Sequence, residues 1–242
     1  MDVGVGTALV GALCGPALAR GGYQMSVTAG AGARTHCGHC DEPLPTGWLR
    51  FATWTGRCGH CHTRLGPRVW LVAIVAAVGT FLVGHRLGND PAVLTFTVFA
   101  LGCVLLGFID VAVRRLPDQL TAPLAVLGLV GLGTASYLAQ DLTPLIRGLA
   151  GAALAGGFFL ALAFARPDGD GMGLGDVKLA AVLGLYLTWL GWSDLVLAFM
   201  TGTVTATVFA LYGLGTGRMD RKSAVTYGPF LILGAAIALA LG

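Results

Sequence analysis

Apolar residues in this chain fall in long, nearly unbroken runs, and polar residues gather in short breaks between them. A helix that crosses a bilayer needs roughly 20 mainly apolar residues, with about 17 as the lower limit. By that measure spans lie near residues 69–84, 92–109, 120–139, 145–165, 177–191, 195–213 and 225–241. The breaks between them include residues 85–91, 114–119, 140–144, 166–175 and 215–223, short enough to make sequence neighbours antiparallel. A weaker run covers residues 3–19; it is Gly-rich, contains Pro16, and ends in Ala17-Leu18-Ala19, which resembles a signal-peptidase site. A signal peptide opens on basic residues, whereas the only charged side chain ahead of this run is Asp2, so it reads as a span. The pattern predicts an all-α, polytopic membrane helix bundle of about eight transmembrane helices.

Composition agrees: of 242 residues, 55% are hydrophobic and 11% charged, with a mean hydropathy of +0.77, far from soluble averages. Gly and Ala recur inside the runs, as at Gly128, Gly131, Gly133, Gly148, Gly151, Gly156 and Gly157, where small residues let helices pack closely in lipid. The net charge of +3 is scattered over short connections, which gives no nucleic-acid footprint. Its placement sets orientation under the positive-inside rule. With the N-terminus outside, thirteen Lys and Arg side chains face the cytoplasm and only Arg86 and Arg147 face out. If the first run did not span, every later loop would stay on the same side. The resulting organisation is a first span (1–19), a small cytoplasmic loop domain (20–68) and a membrane-embedded domain (69–242). No internal repeat or low-complexity tract is evident.

Residues 20–68 hold four of the six Cys and four of the five His. Cys37-Gly38-His39-Cys40 and Cys58-Gly59-His60-Cys61 are two C-x2-C pairs separated by 17 residues, the spacing of a four-thiolate zinc ribbon. Each pair lets two thiolates grip one ion, and the Gly at its second position suits a tight turn. Four Cys close the coordination shell, which favours a structural zinc. Disulfides are disfavoured in the reducing cytoplasm. His36, His39, His60 and His62 read as bystanders, and Cys14 and Cys103 as small core residues.

Ionisable groups within or beside membrane helices are functional candidates. Asp110 follows the apolar residues 101–109 and precedes Val111-Ala112-Val113-Arg114-Arg115. Asp176 opens the sixth of the eight spans within Gly171-Met172-Gly173-Leu174-Gly175-Asp176-Val177-Lys178. The topology puts both at the cytoplasmic face. Two carboxylates brought together share one proton, so one can deprotonate a water while the other polarises a scissile carbonyl. No G-x-S-x-G or H-E-x-x-H motif competes for the role. Gly173 and Gly175 would allow an extended peptide close to the backbone, and Lys178 would meet lipid phosphate or a substrate acid; these three are the candidate substrate-binding residues. Asp118 reads as a helix cap, and Asp168 and Asp170 as turn residues.

The Gly171–Leu179 stretch resembles the GxGD motif of the type IV prepilin peptidases, an aspartic intramembrane peptidase family. Asp110 with Arg115-Leu116-Pro117-Asp118-Gln119-Leu120-Thr121 resembles the segment of the family's first catalytic aspartate. The paired cysteines resemble the zinc domain of its bifunctional members, and Tyr227-Gly228-Pro229-Phe230 its Gly-Pro-Phe signature. The resemblance implies Asp110 and Asp176 as the catalytic pair in a bacterial cytoplasmic (inner) membrane. It implies cleavage of the basic leader from prepilin or pseudopilin partners, in pilus assembly or protein secretion. For members with the Cys loop it also implies N-methylation with S-adenosylmethionine. Residues 11–20 keep little of the Asn-containing, basic-Leu-Pro stretch of the family, which bears on the methyltransferase expectation alone. Two other classes use the same features: a proton- or ion-coupled transporter using the same aspartates, and a scaffold docking partners through its zinc loop. A carrier would place its carboxylates near the midplane rather than at one face.

Overall fold

The computed structural model describes residues 2–27, 32–44, 56–165, 173–218 and 226–242. Eight α-helices follow in chain order: α1 (Val3–Met25), α2 (Val69–Leu87), α3 (Val93–Val113), α4 (Asp118–Leu138), α5 (Thr143–Phe164), α6 (Leu174–Leu190), α7 (Trp192–Gly215) and α8 (Gly228–Leu241). Among the described residues the only extended pairing is two isolated bridges, His36 with Pro43 and Arg57 with Arg64, in the loop after α1. The all-α expectation is met. Six helices, α1 to α5 and α7, are long and apolar enough to cross a membrane. The other two are shorter, with 17 residues in α6 and 14 in α8.

Helix limits differ from the sequence reading by up to about two turns, and three of the differences bear on the candidate residues. α1 runs on past Ala19 to Met25, because Arg20 and Gln24 are buried and extend its packed face. α3 runs on to Val113 and so encloses Asp110; it stops where Arg114 turns left-handed (φ 52°), with its N–H donated to the Asp110 carbonyl at 2.8 Å. α6 starts at Leu174, with Gly173 extended at its N-cap.

The chain divides into two compact units between Arg115 and Leu116. In the first, α1, α2 and α3 pack mutually, and Ala19, Val72, Ala76 and Val104 form the core where they meet. α1 and α2 approach through small residues: a side chain at Gly15 would lie 2.5 Å from the Ala73 Cβ. That closeness is the reason for the Gly-rich first span.

In the second unit, α6 lies against α4, α5, α7 and α8. Its residues from Val182 to Trp189 are all buried, so α6 is apolar on every side. A Cβ at Gly184 would come 2.5 Å from the Gly151 carbonyl of α5. Buried polar groups find partners: the Tyr186 hydroxyl donates to the Leu124 carbonyl (3.1 Å), and Trp189 Nε1 donates to Ser136 Oγ (3.2 Å). On α7 and α8, Gly202 and Gly234 bring the helices into close backbone approach, with a Cβ at Gly202 only 2.9 Å from the Phe230 carbonyl. Large apolar side chains such as Leu94, Val126, Ile146, Leu154, Val204 and Val208 point outward, a surface suited to lipid rather than water.

Candidate active site and metal centre

The loop after α1 folds into two knuckles with the same internal bonds. In the first, the N–H of Cys37 donates to the Glu42 carbonyl, Asp41 to Cys37, and Leu44 to Thr35. In the second, Cys58 donates to Thr63, His62 to Cys58, and Leu65 to Gly56. Every partner is displaced by 21 positions, so a short structural duplication is present where none was evident from sequence. Only the Cys-Gly-His-Cys core and one leucine (Leu44 and Leu65) are shared, which is too little for a repeat to declare itself. The left-handed turn residue in each knuckle is Asp41 (φ 57°) or His62 (φ 56°), not the expected Gly38 or Gly59. The bend falls after the second cysteine, where the chain doubles back.

All four sulfurs of Cys37, Cys40, Cys58 and Cys61 lie within 4.8 Å of one another. The Cys37–Cys61 separation is 3.7 Å and the Cys40–Cys58 separation 3.6 Å. Sulfurs held tetrahedrally at about 2.3 Å from a zinc ion would stand about 3.8 Å apart, so the cluster fits such an ion. None of the six cysteines forms a disulfide. The Thr63 hydroxyl, 2.9 Å from Cys61 Sγ, and then the Thr63 amide hold the Cys61 thiol down at about 6. The amides of Cys61 and His60 lower Cys58 too. Against the Glu42 amide, which lowers it, burial and hydrogen bonds with Cys61, Cys58 and Cys37 raise the Cys40 thiol to about 12, so the metal-free cluster keeps a proton there that a bound cation would displace. His36, His39, His60 and His62 are exposed and lie outside the cluster, as bystanders should.

The knuckles rest on the last turns of α1. Tyr23 packs against the core of Cys37, Leu44, Cys58 and Leu65, and its hydroxyl accepts the Gly38 N–H at 3.2 Å. Gly66 has φ 78° and approaches α1 so closely that a Cβ there would lie 3.2 Å from the Ala19 carbonyl. Arg20, one residue on, is 3% exposed. Nothing in the sequence singles it out, because a basic residue after an apolar run reads as a helix end.

Asp110 is 4% exposed. Phe96, Phe99, Cys103, Leu106 and Asp110 form one buried stripe along α3, so the carboxylate is the last member of an otherwise apolar face. Asp176 lies half-buried in the first turn of α6, where its N–H donates to the Gly173 carbonyl at 2.9 Å. A helix N-terminus is a favourable place for a carboxylate. Each aspartate belongs to a different unit.

The other candidates around Asp176 separate. Gly173 is exposed, and among the described residues a Cβ on it would meet nothing nearer than the Asp176 Oδ2, at 3.7 Å. Gly175 packs against its own chain, since a Cβ there would sit 3.1 Å from the Leu116 Cβ. Lys178 Nζ donates to Asp118 Oδ1 at 2.6 Å. Asp118 is thus not the cap expected of it: it is the first residue of α4 and makes no capping hydrogen bond, because its carboxylate turns to Lys178. Asp168, Asp170 and Gly171 lie outside the described residues. Arg147 donates to the Thr188, Trp189 and Leu190 carbonyls, so one of the two basic residues assigned outside serves to cap α6.

The model of the type IV leader peptidase family matches residues 97–211, a span that contains both aspartates. A prepilin leader peptidase/N-methyltransferase of Burkholderia pseudomallei (strain 1026b) is 34% identical over 218 residues, covering 86% of this chain and 66% of the relative. Proteins of the same name from Pseudomonas putida (30% identical, 86% of this chain, 71% of the relative) and Legionella pneumophila (29%, 86% and 72%) are similar. This chain spans about two thirds of the Burkholderia relative's length. No solved structure matches it. Agreement at this level from before the cysteine knuckles to the last helices leaves one conclusion: the chain belongs to the type IV leader peptidase family.

Proposed function

We propose that this protein is a membrane aspartic endopeptidase that removes the basic leader from prepilin or pseudopilin substrates, with Asp110 and Asp176 as its catalytic pair. The observation that carries the reading is Asp176 at the first turn of α6 behind Gly173 and Gly175, within the family-matched segment that also holds Asp110. One carboxylate takes a proton from water as its oxygen attacks the scissile carbonyl carbon. The other, protonated, hydrogen-bonds the carbonyl oxygen, and the amide nitrogen leaves with a proton from the pair. No acyl-enzyme forms. Gly173 offers backbone to an extended substrate, Gly175 lets α6 close on Leu116, and Lys178 meets an acidic group of the substrate.

The protein resides in the bacterial cytoplasmic (inner) membrane with Asp110, Asp176 and the cysteine loop at the cytoplasmic face, as the distribution of Lys and Arg supports. Cys37, Cys40, Cys58 and Cys61 hold a structural zinc, supported by the sulfur geometry. The relatives' name carries a second activity, that of an N-methyltransferase; in this chain it would methylate the new N-terminus with S-adenosylmethionine as methyl donor. Co-expression with a prepilin-like substrate and mass spectrometry test both activities. The wild type shortens the substrate, and Asp110→Asn and Asp176→Asn leave it intact. Cleavage that persists in both variants overturns the pair, and one added methyl on the product establishes the second activity.

A further inference from the structure

We propose that Arg20 is the counter-ion of the metal-loaded cysteine cluster, a positioning residue that seats the two knuckles on α1 by compensating their negative charge. The inference rests on the zinc reading of the four cysteines. A divalent ion held by four thiolates is a net dianion, and it needs positive charge nearby when solvent is largely excluded. Cys37 and Cys58 are each 2% exposed, while Cys40 and Cys61 are half-buried.

Arg20 supplies a charge in need of such a partner. Its side chain is buried, and its Nε and Nη1 have no hydrogen-bond partner among the described residues. A guanidinium so placed is costly unless an anion faces it. It stands between two contacts of the knuckles with α1: Gly66 against the Ala19 carbonyl, and Tyr23 within the core of the knuckles. A further contact follows on the next turn, where the Arg34 N–H donates to the Gln24 carbonyl at 2.8 Å. Cys58 is the group with which Arg20 interacts electrostatically. The other charged residues of the knuckles, including Arg34, Asp41, Glu42, Arg57 and Arg64, are exposed and screened by water.

The full-length protein in detergent or nanodiscs tests this. Zinc content of the wild type is measured first; a protein isolated without metal overturns the zinc reading itself, separately from the role of Arg20. Zinc release to a chromogenic chelator is then timed. Loss of a group that supports metal ligands costs about 10–100-fold in affinity, so Arg20→Met is expected to release zinc at least about tenfold faster. Arg20→Lys falls between the two, and Arg34→Met, which removes only an exposed cation lying over Tyr23, matches the wild type. In cobalt-substituted protein, Arg20→Met shifts the thiolate-to-cobalt charge-transfer band. Arg20→Met also lowers Tm in the metal-loaded protein but not in the metal-free one. Equal release rates and band positions in wild type and Arg20→Met, or an equal loss of Tm with and without metal in Met and Lys variants alike, overturn the proposal.

Discussion

The Thr63 hydroxyl, 2.9 Å from Cys61 Sγ, acts on a thiol whose ordinary value of 9.0 is brought down to about 6. Because the folded-state value is depressed, the advantage of the thiolate is full above the ordinary thiol range and is lost as pH falls through about 6. The contribution of Cys61 to zinc uptake by the metal-free protein should therefore fade as pH drops through that value, whereas Cys40, held up to about 12, gives up its proton on binding throughout the neutral range. Thr63→Val should move the midpoint upward, as read by cobalt absorbance against pH. At Lys178 and Asp118, side chains 51% and 68% exposed make an ion pair worth about 0–1 kcal/mol. Lys178→Ala and Asp118→Ala should both leave thermal stability nearly unchanged, while only Lys178→Ala raises KM for the leader-bearing substrate. Asp110, Asp176 and the four cysteines stand out in the sequence as candidates because their chemistry is rare in apolar sequence or their spacing is distinctive. Arg20 and the role of Asp118 were not, because a buried cation and an exposed one look alike until their neighbours are known.

At the scale of helices, close approach and terminal capping govern α6. Gly184→Val would press a side chain into the Gly151 carbonyl. Overpacking of this kind costs about 1–3 kcal/mol, and the expected loss is visible as a lower Tm in detergent. Arg147→Met would leave the carbonyls of Thr188, Trp189 and Leu190 without their donor. A buried acceptor that loses its partner costs about 1–3 kcal/mol. Arg147→Met should thus destabilise α6 more than removal of the Lys178 pair, which a side-by-side thermal melt checks. Long apolar runs gave away the existence of the helices. Their limits were less legible, since Arg20 and Asp110 are polar residues inside α1 and α3, held there by tertiary burial.

Over the whole molecule, Lys and Arg placement predicts which loops face which side. A cysteine introduced at Gln140, in the α4–α5 connection, should react with an impermeant thiol reagent on intact cells, and one at Arg115 only after permeabilisation. Reversal of the two would invert the topology. The sequence by itself determined the all-helical membrane architecture, the four cysteines that could hold a metal ion and the family, because hydrophobic run length, ligand spacing and local motifs are properties of neighbours along the chain. Only the tertiary structure decided that α6 is buried on every side, that Arg147 caps it, that Asp118 pairs with Lys178, and that Arg20 is buried near the end of α1. Those outcomes depend on which residues meet from distant parts of the chain, and a buried polar group takes its role from the partner that satisfies it.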